Sequence, residues 1–165
     1  MGRVVEIGNA HPTQSEFGTV DPATAASGGD LDSIRKNLLD ERLSLFERYR
    51  AIFALRNMST PKSAVAIGEA MLRDGSAILR HECAYVLGQM QQESSIPYLS
   101  KALKQDGHVM VRHECAEALG AMGGKAVEAL LRRVMKEDPA VEVRESCDLA
   151  LQHLAYLRDP RRLNL

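Results

Sequence analysis

RHECAYVLGQ at 80–89 returns almost unchanged as RHECAEALGA at 112–121, and looser copies stand on either side, RYRAIFALRN at 48–57 and RESCDLALQH at 144–153. Each copy begins 32 residues after the one before it. A fixed period in this range is typical of stacked units of supersecondary structure. A second helical pattern and a short turn precede each copy, so we predict an all-α protein, an α-solenoid of four helical hairpins.

Length and charge restrict the class of protein. With 165 residues, the chain is about as long as one domain, for which roughly 100–200 residues are typical. The formal net charge of −1 indicates neither nucleic acid nor an anionic membrane surface as a partner. No apolar run approaches the ~20 residues that a membrane span needs. The N-terminus lacks the pattern of a secretory signal, so we expect a cytoplasmic protein.

The repeats define the organisation of the chain. We assign 30–157 to the repeat domain and 158–165 to a short C-terminal tail. Residues 1–29 are rich in Gly, Ala, Ser and Thr, contain Pro12 and Pro22, and show no helical periodicity. This composition predicts a flexible tail, or the remnant of a linker cut from a longer protein.

An aspartate recurs in the turn of each repeat, six residues ahead of the arginine that opens the repeated segment. The three aspartates are Asp74, Asp106 and Asp138. Their regular placement predicts a ladder of Asp–Arg pairs that ties each turn to a second helix.

A helical wheel at about 100° per residue separates the cysteines from the histidines. His81 lies about 160° from Cys83, and His113 is related to Cys115 in the same way. The cysteines are therefore predicted to be core residues, and a metal site that combines Cys83 with His81 is excluded on a regular helix. The buried stripe around Cys83 is predicted to contain Leu79, Val86, Leu87 and Met90.

A His-Glu pair recurs only in the two middle repeats, as His81-Glu82 and His113-Glu114. The matching positions elsewhere are Tyr49-Arg50 and Glu145-Ser146, so the repeat itself does not require the pair. Neighbouring helices pack about 10 Å apart, close enough for these groups to converge on one cation. Imidazole and carboxylate suit iron(II), and also zinc or manganese. The alternative is a set of solvated surface side chains.

Two further positions on this side of the helix are weaker candidates for substrate contact. Gly88 follows His81 by seven residues, and glycine inside a helix costs about 1 kcal/mol relative to alanine, which indicates a close approach by another group. A bend of the solenoid would explain Gly88 equally well. Met110 precedes His113 by three residues, where a flexible apolar side chain could touch a substrate or simply pack at the helix start.

Four segments together resemble the deoxyhypusine hydroxylase family, which consists of HEAT-repeat di-iron monooxygenases. They are LFERYRAIFALRN at 45–57, LRHECAYVLGQMQ at 79–91, VRHECAEALGAMG at 111–123 and VRESCDLAL at 143–151. The resemblance covers about 31–157, and VDPA at 20–23 is similar to part of the linker between that family's two halves.

The resemblance implies iron- and O₂-dependent hydroxylation of the deoxyhypusine side chain on eukaryotic translation initiation factor 5A, which forms hypusine. It implies two Fe(II) ions per complete active site. The His-Glu motifs of the family supply the metal ligands, which match His81, Glu82, His113 and Glu114. Glutamates of these motifs are also implicated in holding the amine-bearing substrate, so the expected substrate contacts are Glu82, Glu114, Met110 and Gly88.

The family has two halves of four repeats, each with two His-Glu motifs, and this chain resembles the C-terminal half only. Full activity is therefore expected to need a second half or a homodimer. Three interpretations stay open: an incomplete hydroxylase half, a functional dimer, and a non-catalytic HEAT-repeat module that binds other proteins.

Overall fold

The computed structural model describes residues 20–159, which form four consecutive helical hairpins. The predicted all-α solenoid of four hairpins is confirmed. None of the eight helices described has the length and apolar character that crossing a bilayer requires. The helices are α1 Leu31–Leu39, α2 Leu45–Met58, α3 Pro61–Arg73, α4 Ala77–Met90, α5 Ile96–Gln105, α6 Val109–Met122, α7 Lys125–Glu137 and α8 Val141–Leu157, with a 3-10 turn at Glu93–Ser95 before α5.

Local sequence explains where several helices begin and end. The Ser44 side chain accepts the Glu47 backbone N–H at the start of α2. Thr60 and Ser63 form a reciprocal capping box before α3, with Pro61 at the first helical position. Ser59 ends α2 in the left-handed conformation with φ 48°. These caps satisfy backbone groups that a helix end otherwise leaves unpaired.

The second helices of the hairpins, α2, α4, α6 and α8, stack side by side, and each also packs on the first helix of its own hairpin. Cys83, Cys115 and Cys147 are buried free thiols in this stack, as predicted. The predicted stripe around Cys83 is confirmed as well, since Leu79, Val86, Leu87 and Met90 are all buried.

Small residues let the second helices approach one another closely. A Cβ atom placed on Gly120 of α6 would lie 2.5 Å from the Ala150 Cβ of α8. The same atom on Gly88 of α4 would lie 3.0 Å from the Ala118 Cβ of α6. Gly120 is therefore buried between helices, and contact with the next repeat explains both glycines.

The Asp–Arg ladder exists, but it connects different partners from those that the spacing of six residues suggests. Arg80 donates to the Asp106 carboxylate from Nε at 2.7 Å and Nη2 at 2.9 Å. Within its own turn Arg80 donates to backbone carbonyls, those of Asp74 at 2.9 Å and Gly75 at 3.2 Å. Arg112 repeats the arrangement with Asp138. Each carboxylate thus pairs with an arginine 26 residues earlier, so the ladder links successive repeats.

The carboxylates of Asp106 and Asp138 are largely buried, and both oxygens of each accept hydrogen bonds. Asp106 also accepts the His108 backbone N–H at 2.8 Å. Burial by itself raises the pKa of Asp106, but the hydrogen bonds from Arg80 and from the His108 backbone outweigh it and hold that pKa below its usual value.

The segment before α1 packs against α2 rather than forming a flexible tail, at least from 21 to 26. Asp21 pairs with the fully buried guanidinium of Arg56 at 2.6 Å, and Ala23 is buried. The Ala26 N–H donates to the Arg50 carbonyl at 3.0 Å. The linker interpretation of this segment stays a prediction. Residues 1–19, and 160–165 of the predicted C-terminal tail, lie outside the described residues.

Candidate metal centre

One rule of register builds the site along the seams between second helices. The residue that occupies the position of Glu82 or Glu114 in one repeat faces the residue that occupies the position of His81 or His113 in the preceding repeat. The two residues are 33 positions apart in the chain. His81 on α4 thus meets Glu114 on α6, with Nε2 and Oε2 3.2 Å apart. His113 on α6 meets Ser146 on α8, with Nδ1 and Oγ 2.6 Å apart. Adjacent repeats thus bring His81 and Glu114 together, while convergence of all four predicted ligands on one cation stays a prediction.

The same register relates Tyr49 on α2 to Glu82 on α4. Burial, and to a lesser degree the charge of Glu82, raises the pKa of Tyr49 to about 12. The Tyr49 hydroxyl donates to the Ile78 carbonyl at 3.2 Å. Tyr49 is thus a neutral hydrogen-bond donor where the next two repeats carry histidine.

Glu114 is a buried carboxylate whose partner is an imidazole. Its side chain is 10% exposed, and that of His81 is 27% exposed. The hydrogen bond to Glu114 raises the pKa of His81 against the opposing effect of burial. The histidines point away from the core, as predicted, but they lie in the seam between helices rather than on an open face.

His113 brings in a carboxylate that the sequence analysis did not propose as a ligand. Its Nδ1 lies 3.6 Å from Oε1 of Glu117, one helical turn further along α6. Ligand atoms of His113, Glu114 and Glu117 all lie within 4.8 Å of one another. The spacing of four residues, which places side chains on one face of a helix, was the available signal for Glu117.

Glu82 lies beside this group but is not hydrogen-bonded to it. Within residues 20–159 its half-buried carboxylate accepts no hydrogen bond, although it interacts electrostatically with His81 and Glu114. Burial is the main cause that raises the pKa of Glu82. A carboxylate in this situation gains from a nearby cation. Two imidazoles with carboxylates around them fit iron(II), zinc or manganese, so the residues present suit a metal.

The two weaker candidates lie on α4 and α6. Met110, at the start of α6, is 37% exposed, and its backbone N–H donates to the His108 ring at 3.3 Å. Gly88 is half-buried, and its contact with Ala118 is reason enough for glycine there. Substrate binding by Met110 and Gly88 stays a prediction.

A solvent-open groove of about 360 Å³ runs beside Glu117, between α6 and α8. Its apolar lining and the carboxylate at its edge are suited to an aliphatic chain that carries a positive charge. The lining residues are Glu117, Gly120, Ala121, Leu149, Ala150 and His153.

Comparison with known proteins agrees with this architecture. A family model described as HEAT repeats matches residues 64–152. A solved structure of human deoxyhypusine hydroxylase in complex with glycerol superimposes with a TM-score of 0.83 and 47% sequence identity. That match covers 88% of this chain and 50% of the human chain.

Curated relatives carry the same name. Deoxyhypusine hydroxylase of Rattus norvegicus is 52% identical over 67 residues, which are 41% of this chain and 22% of the rat protein. The enzyme of Cryptococcus neoformans is 49% identical over 78 residues, which are 47% of this chain and 21% of the fungal protein. The resemblance inferred from the repeated segments is confirmed. The matched regions span 50% of the human chain and 22% and 21% of the rat and fungal proteins.

Proposed function

This chain belongs to the HEAT-repeat family, and we propose that it is a deoxyhypusine hydroxylase, or the C-terminal half of one. Its substrate would be the deoxyhypusine side chain on eukaryotic translation initiation factor 5A, and its product hypusine. The observation that carries the proposal is the contact of His81 with Glu114 across two repeats, in a chain 47% identical to the human enzyme of that name.

We assign the metal ligands to the two His-Glu pairs. His81 and Glu114 already face each other at 3.2 Å, where a shared cation would take the place of the hydrogen bond. His113 stands on the same helix as Glu114, and Glu82 is the nearby carboxylate that accepts no hydrogen bond from the residues described, 20–159. The metal is Fe(II), two ions per complete active site, and it supplies the O₂-dependent oxidation that amino-acid side chains lack.

The carboxylates also suit the substrate. Deoxyhypusine is a long aliphatic side chain with ammonium groups, and charge-assisted hydrogen bonds to carboxylates would orient it. Glu82 and Glu114 lie in the seam, and Glu117 borders the groove between α6 and α8. Met110 and Gly88 are the apolar contacts that we assign to this substrate.

One chain holds only part of the proposed centre. The match covers 50% of the human enzyme, so the remaining ligands would come from an N-terminal half or from a second copy in a homodimer. The three buried free cysteines suit a reducing compartment, and we place the protein in the cytoplasm.

Iron content and solution mass test the proposal together. The full chain, reconstituted anaerobically with Fe(II), is expected to hold about one iron ion per chain and to sediment as a dimer. His81→Ala and His113→Ala should each lose the iron. His108→Asn is the matched control, because His108 caps α6 outside the seam and asparagine is also a good cap.

The result also separates the proposal from the rival function, a non-catalytic module that binds other proteins. The observation that favours the rival is the exposure of large apolar side chains on the last helix, namely Leu149, Tyr156 and Leu157. A chain that takes up no iron, with or without the histidine substitutions, would refute a centre formed by this chain or its homodimer, and would leave either that module or a half that binds metal only together with an N-terminal half.

A further inference from the structure

The fourth repeat has no His-Glu pair, yet it contributes a buried polar group to the centre. Ser146 occupies the slot that Glu82 and Glu114 occupy in the two repeats before it. Ser146 lies on α8 and is 6% exposed, and its Oγ contacts His113 Nδ1 at 2.6 Å. The contact crosses from α6 to α8, so it depends on the packing of the two repeats.

The hydrogen bonds of Ser146 determine which atom carries the proton on His113. A serine hydroxyl has one hydrogen to donate and two lone pairs that accept. Ser146 Oγ donates its hydrogen to the Glu142 carbonyl, one turn earlier on α8, at 2.9 Å. Towards His113 the hydroxyl can therefore only accept, and the hydrogen in that contact belongs to Nδ1.

The opposite assignment is unfavourable. If the Ser146 hydroxyl donated to His113 Nδ1, its oxygen would face the Glu142 carbonyl oxygen at 2.9 Å with no hydrogen between them. The Glu117 carboxylate, 3.6 Å from Nδ1, also favours a hydrogen at that nitrogen rather than a lone pair.

We propose that Ser146 is a positioning residue, which holds neutral His113 in the Nδ1–H tautomer and so keeps the lone pair of Nε2 available to a metal ion. This inference rests on the proposed function for the identity of that ligand. Histidines that bind metals usually donate their other ring N–H to a fixed acceptor, which sets the tautomer and the ring orientation.

The two histidines of the centre are consequently not equivalent. His81 directs Nε2 at the Glu114 carboxylate, whereas His113 directs Nδ1 at a hydroxyl. A cation bound at His81 has to displace the hydrogen bond to Glu114, but Nε2 of His113 is free of the hydrogen from the start. We therefore expect His113 to be the better prepared ligand.

The first test is made on the metal-free full chain. Long-range ¹H–¹⁵N correlation of ¹⁵N-histidine-labelled protein, at a pH where imidazole is neutral, reports the tautomer of each ring. His113→Gln identifies the resonances. We expect the Nδ1–H tautomer at His113, and in Ser146→Ala a shift towards the Nε2–H tautomer that free histidine prefers.

Two variants keep the interpretation specific. Ser146→Thr retains the hydroxyl and should retain the tautomer. Ser95→Ala removes another fully buried serine hydroxyl, which donates to the Gln92 carbonyl at 2.7 Å, and should leave the His113 resonances unchanged. Alanine is a better helix former than serine, so α8 should still form in Ser146→Ala.

The second test is titration with Co(II), followed by its visible absorption. Loss of an outer hydrogen bond to a metal ligand typically costs roughly 10–100-fold in affinity, and we expect Ser146→Ala to weaken Co(II) binding in that range. An Nε2–H tautomer in the wild type, or a tautomer unchanged in Ser146→Ala, would overturn the role of Ser146 alone. A wild type that binds no Co(II) would overturn both the metal-directed role of Ser146 in this chain and the proposed centre of a homodimer.

Discussion

Asp106→Asn tests the ladder that holds successive repeats together. The carboxylate of Asp106 accepts two hydrogen bonds from Arg80, at 2.7 and 2.9 Å, and one from the His108 backbone N–H at 2.8 Å. The side chains of Arg80 and Asp106 are only 15% and 8% exposed. Asparagine has nearly the same shape, so the substitution removes the charge with little change in volume.

The expected cost follows from the bonds that asparagine loses. Its oxygen can still accept the His108 N–H, but its NH₂ group faces a guanidinium donor and cannot accept a bond from it. One charge-assisted hydrogen bond is worth about 1.5–3 kcal/mol, and the Arg80 charge loses its compensation in a mostly buried position. We expect the free energy of unfolding to fall by about 2–4 kcal/mol in total.

Urea unfolding of the metal-free chain, followed by far-UV circular dichroism, measures this loss. Asp40→Asn is the matched control, because Asp40 pairs with an Arg42 side chain that is 87% exposed, and solvent screening leaves exposed pairs with little effect on stability. If the free energy of unfolding of Asp106→Asn is not lower than that of Asp40→Asn, the buried ladder is refuted. A double-mutant cycle should also give a larger coupling of Asp106 with Arg80 than with Arg112; the reverse would refute the pairing across repeats.

Three further predictions concern packing, the N-terminal segment and pH. Gly120→Ala should destabilise the fold by about 1–3 kcal/mol, since the new methyl group overlaps α8, while Gly88→Ala should cost less because its neighbour is further away; equal unfolding midpoints would contradict this. Asp21→Asn should detach residues 21–26 from α2, and loss of hydrogen-exchange protection at the Ala26 amide reports it. Asp106 and Asp138 have lowered pKa values in the folded state. Their contribution to stability is therefore present above the unfolded-state pKa of about 4 and is lost as the pH falls through the pKa values of the folded state. Acid titration of the unfolding free energy should show this loss, weakened in Asp106→Asn.

Those features of the site that depend on a single helix could be predicted from the sequence. The wheel placed His81 and His113 away from the core because the direction of a side chain on a regular helix depends only on its position. It did not show that Ser146 bonds His113, since that contact joins residues on different helices. Glu117 lay within reach of the sequence analysis, because a spacing of four residues on α6 places it beside His113.

The sequence by itself determined the architecture of this protein. A 32-residue period with an apolar stripe on each second helix can bury its core only by stacking, so the solenoid and the buried cysteines follow from the pattern. The tertiary structure alone decided which residues of neighbouring repeats meet. The offset between stacked helices pairs His81 with Glu114, 33 positions later, and Arg80 with Asp106, 26 positions later. Such offsets depend on the distance and rotation between packed helices. Small residues such as Gly120 determine that distance, and the period of a repeat does not specify it.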